Sequence, residues 1–143
     1  MTEFEDIAAR CDAIEECYEF MLAYAAQGVI DDRESRSGAQ LRNLLSRAVN
    51  AASGLPDAFA AATAARDLAP RHRYEDFLGV LGADAAKALA AMNLVLAQPR
   101  ISSQLVDNLN ASLHVRTLLT DVFLLDEIIT MHQCAQPQTE ATR

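Results

Sequence analysis

The chain has 143 residues and a formal net charge of −8. That length suits one domain with a real core, and the acidity argues against nucleic acid as a partner, because phosphate-backbone binding draws its affinity from Lys and Arg. The apolar fraction is 51% and much of it is alanine, while glycine and proline are scarce and tryptophan is absent, a composition that excludes a turn-rich sandwich or barrel and favours closely packed helices.

No stretch alternates apolar and polar residues long enough to make a strand. The expected fold class is therefore all-α, a single antiparallel bundle of four to five helices over 1–132 with a polar C-terminal tail at 133–143.

The first helix is the clearest element. Phe4, Ile7, Cys11, Ile14, Tyr18, Met21 and Ala25 follow alternating spacings of three and four, an a/d seam about three heptads long. Thr2 with Glu5 makes a capping box, and Gly28 is the expected stop. A second helix starts between Asp31 and Ser37, buries Leu41, Leu44, Leu45, Ala48, Val49 and Ala52, and is expected to end at Gly54 and Pro56. A short alanine-rich helix over 56–67 follows, anchored by Phe59 and closed by Pro70.

A fourth helical region covers 74–98, with Tyr74, Phe77, Leu78 and Leu81 leading to Ala88, Leu89, Met92, Val95 and Leu96. Gly79 and Gly82 each cost about 1 kcal/mol against Ala, which predicts a break near Gly82 with Asp84 capping a second half. The fifth helix, over 102–132 and capped by Ser102 or Ser103, is the longest and most apolar and is expected to run straight through Asn108-Leu109-Asn110. Leu118, Val122 and Leu125 point one way on it, and Leu113, Phe123 and Ile128 another. So wide an apolar surface belongs to a central helix or to one that also meets a partner, and these six residues are the interface candidates.

Catalytic chemistry finds little support. A di-metal carboxylate bundle needs Glu-x-x-His, which is absent, and His132, Cys134, Glu127 and Asp126 do not stack on one helical face, so no metal ligands are assigned. Cys11, Cys17 and Cys134 read as thiols. Cys11 sits on the seam as core, and Cys17 lies beside Glu15, Glu16 and Glu19, which raise its pKa and disqualify it as a nucleophile. The acids Glu3, Glu5, Asp6, Asp12, Glu15, Glu16 and Glu19 lie mostly off the seam and read as a solvated face. No phosphate-binding, dinucleotide or nucleophile-elbow motif occurs, so no catalytic residue and no cofactor is expected. Arg71-His72-Arg73 is a short pattern suited to an anion at a helix start.

Two stretches resemble known motifs. His114, in Leu113-His114-Val115-Arg116, resembles a phosphotransfer histidine on a bundle helix, but Arg116-Thr117-Leu118 stands where that family carries Lys-Gly. The stretch from Gln98 to Val106 resembles the opening of a helix-turn-helix, with Asn108-Leu109-Asn110 where the turn glycine belongs.

The charge is uneven. Residues 1–30 carry seven acids and one base, whereas 33–73 carry seven bases and three acids, so the two segments are expected to face each other. An acidic N-terminus and no apolar run of bilayer length (roughly 18–20 residues) point to a cytoplasmic protein with no membrane partner. The favoured reading is a non-catalytic bundle that binds another protein chain or itself, most simply as a homodimer, acting as an accessory subunit, regulator or dedicated chaperone. The alternatives are a small enzyme or small-molecule binder with a pocket lined by Tyr18, Met21, Tyr24, Phe77 or Met92, and a DNA-binding regulator with a helix-turn-helix near 99–120.

Overall fold

Apolar periodicity becomes helix wherever the chain supplies a cap. Thr2 accepts a hydrogen bond from the Glu5 N–H while the Glu5 carboxylate accepts from the Thr2 N–H, and this capping box opens α1 (Glu3–Ala25). A short 3₁₀ turn, Asp32–Glu34, leads to Ser35, whose hydroxyl caps α2 (Arg36–Ala65). Pro70 precedes α3 (Arg71–Leu96), and Ser102 caps α4 (Ser103–Ala111). α5 (His114–Ala141) completes the chain. This computed structural model describes residues 2–141, with side-chain surroundings for 2–132; it is 84% helical and has no strand among the described residues. The all-α class is as the composition predicts. Cys134 and the side chains of the tail set apart at 133–143 lie outside the described residues.

The four long helices run up, down, up and down. Arg66 reaches Glu3 and Arg47 reaches Glu16, which sets α2 antiparallel to α1. Tyr74 near His132 and Asp84 near Asp121 set α5 antiparallel to α3. Core side chains converge from every helix, among them Ile14, Met21, Leu41, Leu45, Phe59, Leu81, Met92 and Leu118, all fully buried. The acidic first helix does face the basic second, through Glu16–Arg47 at 3.9 Å and Glu3–Arg66 at 3.3 Å.

Three expected boundaries need correction. α2 continues through Gly54 and Pro56 and absorbs the separate helix expected over 56–67. A proline inside a helix leaves its i−4 carbonyl, in this helix that of Ala52, without a donor. Here Arg10 lies against Gly54, where any Cβ would collide with its guanidinium, and donates to the Asn50 and Ala51 carbonyls at 3.4 and 3.1 Å. Leu55 and Phe59, fully buried on either side, hold the helix in register. α3 likewise runs unbroken past Gly79 and Gly82, because Leu81, Ala85, Ala88 and Met92 bury one continuous stripe, and Asp84 is a mid-helix residue. The fifth helix is instead split at Ser112-Leu113, where Leu113 takes a left-handed φ of 65°.

Two finer expectations also change. On α1 the fully buried stripe ends in Cys17, Met21 and Tyr24, while Cys11 and Tyr18 are half-buried. A straight helix drifts about 20° per heptad from a 3.5-residue seam, which rotates Cys17 and Tyr24 inward. α3 is also long and apolar enough, by length and composition, to cross a membrane, although no such stretch was expected. Its Leu81, Ala85, Ala88, Met92 and Val95 line the bundle core, and 28% of the apolar window is buried inside the bundle.

A buried polar clasp fixes one end of the bundle. Asp32 accepts from the Arg42 guanidinium and from the Ile101 N–H, and Arg42 also donates to the Leu96 and Gln98 carbonyls at 3.2 and 3.0 Å. Tyr24 Oη donates to the Ile101 carbonyl at 2.7 Å, and Ser103 Oγ donates to the Tyr24 carbonyl at 2.6 Å. Burial alone would raise the Asp32 carboxyl, but the Arg42 and Ile101 hydrogen bonds and the Arg42 charge outweigh it and hold the group below the usual carboxylate range. The clasp ties α1, α2, α3 and α4 together at this end.

Candidate functional site

α1 packs extensively on α2, α2 on α3 and α3 on α5, but α1 and α5 close the ring through much thinner contact. A furrow runs along that seam. Its wider part, about 430 Å³, is lined by Glu15, Tyr18, Glu19 and Leu22 from α1 and by Arg116, Leu119, Thr120 and Phe123 from α5. A narrower stretch continues it past Ala8, Cys11, Asp12, Val122 and Asp126, sharing Glu15 and Phe123 with the first. On α1 the lining residues recur every three or four positions from 8 to 22, a single helical face about 21 Å long at 1.5 Å per residue. Leu22 and Phe123 are each 49% exposed, large apolar side chains that the bundle leaves in water.

The furrow is also acidic. Asp12, Glu15, Glu19 and Asp126 line it against the single base Arg116, and among the described residues none of these five is in an ion pair. Cys11 registers that field. Burial, and then the charges of Asp126, Asp12 and Glu15, push its thiol up to about 12, so it stays protonated at neutral pH. Cys17 is pushed up to about 12 by burial and then by Glu16. Neither thiol is set up as a nucleophile. Among the described residues no three His, Cys, Asp or Glu side chains group as metal ligands.

The six interface candidates divide. Leu118, Val122 and Leu125 face the chain's own core and are not free for a partner. Leu113 and Phe123 are about half exposed, and Ile128 is half-buried. The pocket candidates do not converge. Met21, Tyr24 and Met92 are core, Tyr18 lines the α1/α5 furrow, and Phe77 lines a separate groove between α3 and α5 with Tyr74, Leu124 and Ile128. That groove, about 310 Å³, has Arg73 as its only charged lining residue among the described residues. The helix after the Ser112-Leu113 break is a bundle helix with Val115, Leu118, Leu119 and Val122 buried, whereas a recognition helix must lie open to a groove of DNA.

One further pair stands out. Asp121 on α5 is buried, with its Oδ2 lacking a hydrogen-bond partner, and the carboxyl of Asp84 on α3 lies beside it. Burial, and then Asp84, push its carboxyl up to about 7. This pairing carries no local signal, since nothing along the chain brings positions 84 and 121 together. No protein-family model, curated protein or solved structure matches this chain, so the furrow and its charges carry the functional reading.

Proposed function

We propose that the chain is a non-catalytic helical protein that works by holding a helical segment of another protein in the α1/α5 furrow, as an accessory subunit, regulator or dedicated chaperone. The observation that carries this reading is the furrow itself. Half-exposed Leu22 and Phe123 face it from two helices at a seam where two long helices pack more thinly than α1 on α2, α2 on α3 or α3 on α5. A guest helix laid there would bury those side chains in the helix-in-groove mode, reading anchors at i, i+3, i+4 and i+7. The test is Phe123→Glu. Because Phe123 is exposed, the substitution is expected to leave folding within about 0.5 kcal/mol of the parent, as read by urea unfolding. In affinity capture from the native cell, quantified by mass spectrometry, it is expected to remove the partner that the parent retains. A partner set unchanged by Phe123→Glu counts against the furrow.

A further inference from the structure

We infer that the occupant of the α1/α5 furrow is a basic amphipathic helix of a different protein. The inference rests on the furrow being a protein-binding site, and it names the chemistry of the guest.

The floor and the walls of the furrow ask for different things. Tyr18, Leu22, Leu119 and Phe123 offer apolar contact along the floor. Asp12, Glu15 and Glu19 from α1 and Asp126 from α5 offer four carboxylates that are in no ion pair among the described residues. A guest that matches both has an apolar stripe flanked on both sides by Lys or Arg. At about 21 Å the furrow takes close to four turns, about 14 residues. Covering the carboxylates with an apolar or acidic guest would strip their water and return nothing, and like charges set face to face are disfavoured. Arg116 alone leaves the lining with a net charge opposite to such a guest.

A second copy of the chain fits poorly. Two furrows meeting about a two-fold axis would set Asp12, Glu15, Glu19 and Asp126 against themselves. The basic segment of the chain serves poorly in trans: Arg71 meets Glu75, and among the described residues only Arg36 at the start of α2 and Arg73 at the start of α3 are in no ion pair, two cations on different helices against four carboxylates. Arg42 is in the buried clasp, Arg47 meets Glu16, Arg66 meets Glu3, and Arg33 meets Asp31.

The test uses the full chain and two synthetic peptides of about 14 residues, each with leucine at helical spacing. One carries Lys and Arg at the flanking positions and its twin carries Glu. The basic peptide is expected to bind at least about tenfold more tightly, and to shift the Leu22 and Phe123 NMR signals. Glu15→Lys combined with Glu19→Lys is expected to weaken it at least about tenfold. Asp57→Lys combined with Asp76→Lys changes net charge equally on exposed sites outside the furrow, and should change binding by less than about twofold. Circular dichroism checks that both double variants fold. Equal binding of the twins, or equal losses from the two double variants, overturns the inference. So does a dimer in sedimentation that Phe123→Glu dissolves, since the occupant is then a second copy. A captured partner that depends on Phe123 but presents a neutral or acidic segment sinks the inference and leaves the proposed function standing. No Phe123-dependent partner and no peptide binding sinks both.

Discussion

Asp121 sits on the inner face of a bundle helix, and its nearest charged neighbour is another acid. Burial favours the neutral form, and the neighbouring Asp84 carboxyl disfavours a second charge, so the folded chain raises the Asp121 carboxyl to about 7. The unfolded chain releases that proton near the ordinary value of 3.8. Between those two pH values the folded state binds more protons than the unfolded state. This group's contribution to stability is therefore fully present below 3.8 and lost as the pH rises through about 7. Asp121→Asn keeps the volume and removes the titration. Its urea midpoint relative to the parent should rise steadily from pH 4 to pH 8, and a constant difference would show that the site does not titrate in that window. Glycines give a second test at this scale. A Cβ at Gly38 would strike the backbone of Asp32 beneath the polar clasp, so Gly38→Ala should cost about 1–3 kcal/mol, as overpacking does. Gly79 faces open space within a helix, so Gly79→Ala should add about 0.5–1 kcal/mol. Thermal melts of the two variants moving in the same direction would contradict the contrast.

Helices were legible in the sequence, and their boundaries less so. The Thr2–Glu5 box, the Ser102 cap and the apolar stripes are local signals that survive intact in the fold. Pro56 and Gly54 are local signals too, but tertiary packing overrides them: Leu55 and Phe59 are fully buried, and Arg10 lies against Gly54 and donates to the Asn50 and Ala51 carbonyls, 40 residues or more away in sequence. The Ser112-Leu113 break fails in the opposite sense. Leucine carries no mark of a turn, yet Val106 and Leu109 are committed to one wall and Val115 and Leu118 to another, and the chain must turn between them. Leu113 accepts a left-handed backbone to do so, at about 1–2 kcal/mol. Because its side chain is half exposed, Leu113→Gly should raise stability by about 0.5–1 kcal/mol, seen as a higher urea midpoint. A lower midpoint would mean that the leucine side chain contributes more by packing than its backbone loses by strain. The furrow was only half visible. Helix periodicity exposed Phe123 as an apolar residue off the main stripe, but which acids share its seam depends on α5 lying beside α1, a fact of tertiary packing.

Taken whole, the molecule carries a net charge of −8, and its ion pairs do not offset the crowding of acids along one side. Glu16–Arg47 at 3.9 Å joins two exposed side chains, and pairs of that kind contribute about 0–1 kcal/mol each. Asp12, Glu15, Glu19 and Asp126 share one furrow and are in no ion pair among the described residues, and the raised Cys11 thiol lies among them. The Debye length shrinks from about 30 Å at 0.01 M salt to about 10 Å at 0.1 M. At low salt, then, each furrow carboxylate feels every other along the whole length of the seam, and at moderate salt chiefly its neighbours. Compaction of a chain with this charge balance works against self-repulsion, so sodium chloride should stabilise the fold. The urea midpoint, urea being uncharged, should rise between 0.01 and 0.1 M. Glu15→Gln with Glu19→Gln should raise the low-salt midpoint and flatten the dependence, because it removes charge where the field is densest. A midpoint that falls with salt would mean that attraction in the pairs outweighs repulsion in the furrow. A dependence that the double variant leaves unchanged would place the repulsion elsewhere on the surface. A basic guest helix would relieve the same repulsion through contact, so the stabilisation it gives should be largest at low salt and fade as the ions take over its role.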